Sequence, residues 1–218
     1  MAAGVIFDCD GTLLDTIDAW HEVEDRLLSD AGITLSKAER DELSSLTLDE
    51  AGEFFFVRFD GVDSPQQVRD LIVEHLLEFY RTRSTAVAGA EGFVEALGRR
   101  GVPLAVLSSS PQSFLQAGLG RTAMAAHFRA VVSVDDVEGS KRDRETYHHV
   151  CGLLGTDPAE TWFFDDSWYA LKAAREAGLR TVGVFSSDNC GTHEELARYS
   201  ECVIEDFTGL PDSVADRP

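Results

Sequence analysis

The chain has 218 residues and carries 39 acidic residues against 19 Lys and Arg, so its formal net charge is −20. Hydrophobic residues make up 44% of it, which is enough to build a packed core and argues against a disordered chain. The excess of acid is spread along the sequence. It excludes nucleic acids and anionic membrane surfaces as expected partners, because those polyanions are bound by Lys and Arg.

The segment at the N-terminus has no positive charge and only a short apolar run, so it does not resemble a secretory signal. No run elsewhere is apolar enough to cross a membrane. Four cysteines (Cys9, Cys151, Cys190 and Cys202) in a chain of this size do not suggest a disulfide framework. They form no Cys-x-x-Cys pair, which argues against a zinc site. We therefore expect a cytoplasmic protein.

Six short apolar runs follow one another along the chain, at 5–7, 104–107, 130–132, 162–164, 181–185 and 202–204. Continuous apolar runs of this length are typical of strands that are buried on both faces, as in a parallel sheet. Helical patterns lie between them at 91–100, 113–119, 145–154 and 169–177. The alternation predicts an α/β fold with a Rossmann-like, doubly wound parallel sheet.

The alternation of strands and helices breaks once, directly after the first strand. Residues 16–86 contain no strand-like run, but they contain helical patterns at 19–31, 48–59 and 68–81. We predict an α/β core made of residues 1–15 and 87–218, with a small all-helical domain of residues 16–86 inserted into it. Thr16 and the segment 86–89 are the expected hinges.

Polar side chains follow the predicted strands where each strand ends, and Lys141 lies on a nearby loop. In a parallel sheet, ligands bind at the carboxyl ends of the strands. The sequence therefore predicts a site there. Its candidate residues are Asp8 and Asp10 after the first strand, Ser108 and Ser109 after the second, and Asp165 and Asp166 after the fourth.

The segment Asp8-Cys9-Asp10-Gly11 places two carboxylates two residues apart. Because like charges repel, a hard cation such as Mg²⁺ would stabilise this arrangement. Gly11 allows a sharp turn whose backbone N–H groups could bind an anion. A hydrated, Asp-rich turn is the alternative. A calcium-binding loop is another, although the glycine comes too early for one.

The ten-residue segment 7–16 resembles the first motif of the haloacid dehalogenase superfamily, in the form found in its phosphatases. Three later segments resemble the remaining motifs in the same order: the strand ending at Ser108, the lysine Lys141, and the pair Asp165-Asp166. The resemblance covers essentially the whole chain. It implies the branch of the superfamily that carries a helical cap after the first motif.

The resemblance implies catalytic roles for three residues. Asp8 would be the nucleophile that forms an aspartyl-phosphate. Asp10 would protonate the leaving group and then activate water for the second step. Lys141, together with Mg²⁺, would neutralise the phosphoryl oxygens.

The resemblance also implies the binding residues. Asp8, the backbone carbonyl of Asp10 and Asp166 would hold Mg²⁺, with Asp165 supporting the ion directly or through water. The phosphate would be bound by the Ser108 hydroxyl, by Lys141, and by the backbone N–H groups of Ser109 and of Cys9 to Gly11.

Two features depart from the family pattern. Arg142 and Arg144 stand where many relatives have prolines after the lysine, and Asp165 stands where the fourth motif often has a glutamate. Each motif also has an ordinary interpretation. Lys141 lies in a charged run that could be a solvated helix start, and the serines from Ser108 could cap a helix in which Pro111 is the first residue.

These observations favour a Mg²⁺-dependent phosphatase acting on a small-molecule phosphate ester, as a monomer or homodimer. A sugar-phosphate mutase would use the same residues, and a non-catalytic phosphate-ester binding protein is a further alternative. Asp10 disfavours a dehalogenase, since the dehalogenases that we compare lack the second aspartate. Trp20, His21 and Arg58 are the insert residues that could face the site.

Overall fold

The computed structural model describes residues 2–43, 46–58, 62–137, 139–186 and 192–210. Six strands of this part form one parallel sheet in the order β5-β4-β1-β6-β7-β8, which confirms the predicted α/β fold. The strands in chain order are β1 (Ala2–Phe7), β2 (Leu14–Asp15), β3 (Thr85–Ala86), β4 (Leu104–Ser108), β5 (Ala130–Ser133), β6 (Thr156–Asp165), β7 (Arg180–Val184) and β8 (Cys202–Ile204).

The central strand β1 shows why these apolar runs form a sheet that is buried on both faces. Val5 and Phe7 pack into the hydrophobic cluster on one face, whereas Ile6 packs into the cluster on the other. Side chains alternate between the faces of a strand, so a run with no polar residue is stable only where both faces are covered.

Helices cover the sheet between successive strands. The core helices are α5 (Ala90–Arg99), α6 (Gln112–Leu119), α7 (Arg144–Leu154), α8 (Trp168–Glu176) and α9 (His193–Tyr199). The first four correspond to the predicted helical patterns, while α9 was not predicted from the sequence. The left-handed backbone at Gly155, with φ of 73°, ends α7 at a position where glycine is favoured.

Between β2 and β3 the described residues form four helices, which we call the helical insert: α1 (Ile17–Asp30), α2 (Lys37–Leu43), α3 (Leu48–Phe56) and α4 (Pro65–Thr82). The two connections to the core pair as antiparallel strands, with Leu14 opposite Ala86 and Asp15 opposite Thr85. Three of the helices correspond to predicted patterns and α2 does not. The predicted end of the second pattern, at Phe59, lies outside the described residues.

Three of the four cysteines lie within the described residues, and all three are free thiols: Cys9, Cys151 and Cys202. Cys190 lies outside that part of the chain. None of the helices that the structure describes is long and apolar enough to span a bilayer.

Candidate active site

The predicted strand-end residues meet at the carboxyl edge of the sheet. The Asp8 N–H, directly after β1, donates to the Phe164 carbonyl at 2.8 Å, and this bond aligns the ends of β1 and β6. Asp165 ends β6 and Asp166 follows it, while Ser108 ends β4 on the other side of β1. These four polar side chains are all buried, and none of them is more than 5% exposed.

Three carboxylates form a cluster in which each offers one oxygen within 4.8 Å of the others: Asp8, Asp165 and Asp166. Burial raises the pKa of Asp8 to about 7; Lys141 opposes this rise, and Asp165 adds to it. Burial, followed by the charges of Asp8 and Asp165, also raises the pKa of Asp166 well above its usual value. An oxygen-only set of crowded carboxylates fits a hard divalent cation such as Mg²⁺, whose charge would favour the ionised forms.

Lys141 supplies the positive charge at this cluster. Its Nζ donates to Oδ1 of Asp8 and, at 2.8 Å, to Oδ2 of Asp165. Burial by itself lowers the pKa of Lys141, but the charges of Asp165 and Asp8 outweigh it and hold the pKa well above the usual value. The other oxygen of Asp165 accepts from the Ser167 N–H at 2.7 Å. Both oxygens of Asp165 therefore have protein donors, and this carboxylate orients Lys141.

The loop that carries Lys141 is held without the prolines of the family pattern. The buried hydroxyl of Tyr147 lies 2.7 Å from the Lys141 carbonyl oxygen and 3.0 Å from that of Ala170. The N–H and hydroxyl of Ser140 both donate to Asp143 at 2.8 Å. The two arginines at the proline positions are exposed; Arg142 lies over the Tyr169 ring, 4.2 Å from its centroid, and Arg144 pairs with Glu176 at 3.4 Å.

Gly11 is required at the turn after β1 by both conformation and space. Its φ is +75°, and a Cβ there would lie 2.5 Å from Oδ2 of Asp166 and 2.9 Å from the Cδ1 atom of Ile17. Its N–H donates to the Leu14 carbonyl at 2.8 Å, which corrects the expectation that this group faces an anion. Gly11 thus shapes the turn and leaves room for the Asp166 carboxylate.

The Asp10 carboxylate is not part of the three-carboxylate cluster but is surrounded by hydroxyl groups. Oδ1 accepts from Thr16 at 2.7 Å and from the Tyr80 hydroxyl, and Oδ2 accepts from Ser110 at 2.6 Å. A hydroxyl can donate to a carboxylate and can also accept from a carboxylic acid. This environment therefore accommodates Asp10 in either protonation state.

Tyr80 was not predicted from the sequence to be a site residue. Its ring stacks on Phe114 of α6 with centroids 4.8 Å apart, and its oxygen accepts from Nε1 of Trp20 at 2.9 Å. Burial and the neighbouring Asp10 raise the pKa of Tyr80 well above its usual value, so its hydroxyl remains a donor. Trp20, predicted as a residue that could face the site, also lines the cavity described below.

The sequence did contain a signal for Tyr80. The buried side of α4 repeats every four residues, as Val68, Ile72, Leu76 and Tyr80. A tyrosine at the end of an apolar stripe buries a hydroxyl that requires a hydrogen-bond partner. The partner is a carboxylate of the core, which only the tertiary structure reveals.

The serines after β4 connect the sheet to α6. The Ser108 hydroxyl accepts from the Ser110 N–H at 3.0 Å, and the Ser133 hydroxyl donates to the Ser110 carbonyl at 2.8 Å. Pro111 is the N-cap of α6 rather than its first residue, contrary to the sequence expectation. Ser108, Ser109 and Ser110 thus stand before a helix N-terminus, a location that favours anions.

A cavity of about 140 Å³ lies between these residues and the helical insert. The core contributes Asp8, Asp10, Lys141 and Asp166 to its lining, and α1 contributes His21. Arg58 is not among the lining residues that the structure describes. It lies over the Phe54 ring, 3.8 Å from the centroid, and donates to the Phe54 carbonyl.

Comparison with known proteins places the chain in a family. A validoxylamine A 7'-phosphate phosphatase of Streptomyces hygroscopicus subsp. limoneus is 25% identical over 203 residues, 93% of each chain. A phosphoglycolate phosphatase of Pectobacterium atrosepticum is 25% identical over 95% of this chain and 90% of its own length. The structure of CbbY from Rhodobacter sphaeroides in complex with phosphate superposes with a TM-score of 0.79, at 21% identity and 96% coverage of both chains. Since the model of the haloacid dehalogenase-like hydrolases also matches residues 5–184, this chain belongs to that family.

Proposed function

We propose that the protein is a Mg²⁺-dependent phosphatase that hydrolyses a small-molecule phosphomonoester through an aspartyl-phosphate on Asp8. One observation carries the proposal: a buried carboxylate, Asp8, faces a cavity, is hydrogen-bonded by Lys141 and lies beside Asp165 and Asp166. The phosphatases among the relatives support the same reaction class.

Asp8 attacks the phosphorus, and the bond from phosphorus to the ester oxygen breaks. Asp10 lines the same cavity and gives its proton to the departing oxygen. In the second step Asp10 takes a proton from the attacking water, and the phosphate leaves Asp8. The hydroxyls of Thr16, Tyr80 and Ser110 hold the Asp10 carboxyl in place for both transfers.

Asp8 and Asp166 would hold Mg²⁺ with the backbone carbonyl of Asp10, while Asp165 orients Lys141 and supports the ion. When bound, Mg²⁺ would supply positive charge that offsets the negative phosphoryl oxygens. Lys141 would bind a phosphoryl oxygen. Ser108 and Ser109, which line the cavity before α6, complete the phosphate site.

We propose that residues 16–86 act as a cap domain on the core of 1–15 and 87–218. The β2–β3 pair, formed by the two connections, supports a hinge at this place. Closure of the cap excludes water from the reacting groups. Thr16 and Tyr80 both bond to Asp10 of the core, so closure also completes the surroundings of the general acid.

The test compares Asp8→Asn with a matched control, Asp18→Asn, an exposed residue of the insert. With Mg²⁺ and p-nitrophenyl phosphate, we expect Asp8→Asn to abolish phosphate release, the control to retain it and a chelator to remove it. Retained turnover in Asp8→Asn, with an unchanged melting curve, would contradict the assignment of Asp8 as the nucleophile. With a hexose 1-phosphate, an isomerised sugar phosphate in place of free phosphate would indicate the mutase. Tight binding of a phosphate ester without turnover would indicate a non-catalytic phosphate-ester binding protein.

A further inference from the structure

The side of the cavity formed by the helical insert is apolar. The helices of the insert contribute Val23, Leu27, Leu48, Ala51, Phe55 and Ile72 to it. The polar groups Asp8, Asp10 and Lys141 lie together on the core side. A phosphate bound at Asp8 would therefore direct the rest of the ester towards hydrocarbon.

Besides these apolar residues, the insert contributes three polar residues to the described lining: His21, Glu24 and Thr47. The Thr47 hydroxyl caps α3 through a reciprocal pair of bonds with Glu50 and is thus occupied. Neither the His21 nor the Glu24 side chain makes a hydrogen bond within the described residues. They stand three residues apart on α1 and are the polar groups of the insert that a ligand can engage.

The insert offers no Lys or Arg to the cavity in the part of the chain that the structure describes. Arg40 is paired with Asp25 at 2.6 Å, and Arg69 is paired with Asp49 at 2.6 Å. A second phosphate or a carboxylate in the substrate would thus find no Lys or Arg there, and it would meet the carboxyl group of Glu24. A polyhydroxylated sugar would bury hydroxyls against hydrocarbon, and buried hydroxyls without partners weaken binding.

Resting on the proposed function, we infer that the substrate is the phosphate monoester of a predominantly apolar alcohol with no second anionic group. The cavity limits its size. Its volume of about 140 Å³ includes the space beside Asp8 and Lys141 that the phosphate would occupy, so the carbon skeleton is compact, no larger than one six-membered ring. A single hydroxyl or amine on the ring would be bound by Glu24 or His21.

Two matched pairs of esters test the inference, each measured as kcat/KM with Mg²⁺. Cyclohexylmethyl phosphate and glucose 6-phosphate share a six-membered ring on the same exocyclic linkage, but only the sugar carries hydroxyls. If two hydroxyls stay unpaired, we expect a preference of about thirtyfold or more for the cyclohexyl ester. Ethyl phosphate carries a methyl group where phosphoglycolate carries a carboxylate, and we expect ethyl phosphate to have the higher kcat/KM.

Variants then locate the preference in the cavity. Ala51→Phe places a ring in the cavity, and we expect it to reduce kcat/KM for cyclohexylmethyl phosphate at least about tenfold while largely preserving that for ethyl phosphate. Glu53→Phe adds the same ring on the exposed side of α3 and is the matched control. Glu24→Gln should narrow the gap between ethyl phosphate and phosphoglycolate at pH 8.

The outcomes separate the inference from the proposed function. If the esters release phosphate but glucose 6-phosphate or phosphoglycolate is the preferred member of its pair, the inference about the substrate is wrong. The proposed phosphatase activity is then still supported. Equal losses in Ala51→Phe and Glu53→Phe would also overturn the inference. No release from any ester, p-nitrophenyl phosphate included, would refute the phosphatase itself, and the inference would fall with it.

Discussion

Glu24 offers a quantitative test of how apolar the cavity is. Burial raises the pKa of its carboxyl from 4.5 to about 7; Arg40 opposes this rise and Asp25 adds to it. The folded protein therefore holds this proton up to a higher pH than the unfolded chain does. The free energy of unfolding consequently falls as the pH rises from about 4.5 to about 7, and the Glu24 contribution is then constant above that range.

The magnitude follows from the two pKa values. Between pH 5.5 and pH 8, the Glu24 contribution to stability falls by about 2 kcal/mol for this shift. Glu24→Gln keeps the shape and removes the titration. The stability of Glu24→Gln relative to the wild type should therefore rise by about 2 kcal/mol between these pH values, or by about 4–8 °C in Tm.

Urea unfolding of both proteins at pH 5.5 and pH 8 measures this difference. Glu22→Gln is the matched control, because Glu22 is exposed on the same helix and its substitution should change stability little at either pH. A stability difference between Glu24→Gln and the wild type that is the same at both pH values would refute the reasoning. It would mean that water reaches Glu24 freely.

Three further substitutions test the site. Gly11→Ala should lower the free energy of unfolding by about 1–2 kcal/mol, because its backbone is left-handed. The added Cβ should also displace the Asp166 carboxylate, so the rise in Tm on adding Mg²⁺ should shrink. An undiminished rise would contradict the close approach of residue 11 to Asp166. Lys141→Met leaves buried carboxylates without their cation and should destabilise the metal-free protein by about 3–5 kcal/mol, with Mg²⁺ restoring more stability than in the wild type. An equal Mg²⁺ effect in both proteins would argue against a shared site. Tyr80→Phe should lower the free energy of unfolding by about 1–3 kcal/mol, because the Trp20 N–H loses its acceptor. Because the Asp10 carboxyl also loses a donor, the substitution should lower kcat and alter the pH profile of activity with little change in KM. An unchanged kcat and pH profile would mean that Tyr80 serves packing alone.

The sequence predicts most of the core because its strands leave an unambiguous pattern. A run such as 162–164 is apolar without interruption, and the first polar residue after it marks the end of a strand. Parallel strands align those ends, so the predicted neighbourhood of Asp8, Ser108 and Asp165 follows from topology alone. The bonds from Lys141 to Asp8 and Asp165 do not follow, since they depend on the loop that Tyr147 anchors.

The residues that the sequence analysis missed are those whose partners lie far along the chain. Tyr80 and Ser110 bond to Asp10 across 70 and 100 residues, and no local pattern encodes such pairs. The same limit applies to Glu24, which is one acid among many on an amphipathic helix until the packing of the insert places it in a cavity. Helix α2 was missed for another reason. Its seven residues, Lys37–Leu43, are mostly charged and give little apolar periodicity.

The contacts of Asp10 link the choice of substrate to the chemistry. Two of its hydroxyl partners, Thr16 and Tyr80, belong to the proposed cap domain, whereas Ser110 belongs to the core. Movement of the cap away from the core would remove two donors and leave one. A substrate whose carbon skeleton fills the apolar side of the cavity would bury more hydrocarbon with the cap closed than open, and would stabilise the closed arrangement by that difference. An ester too small or too polar to fill that space would leave Asp10 less well held, and would lose kcat as well as affinity.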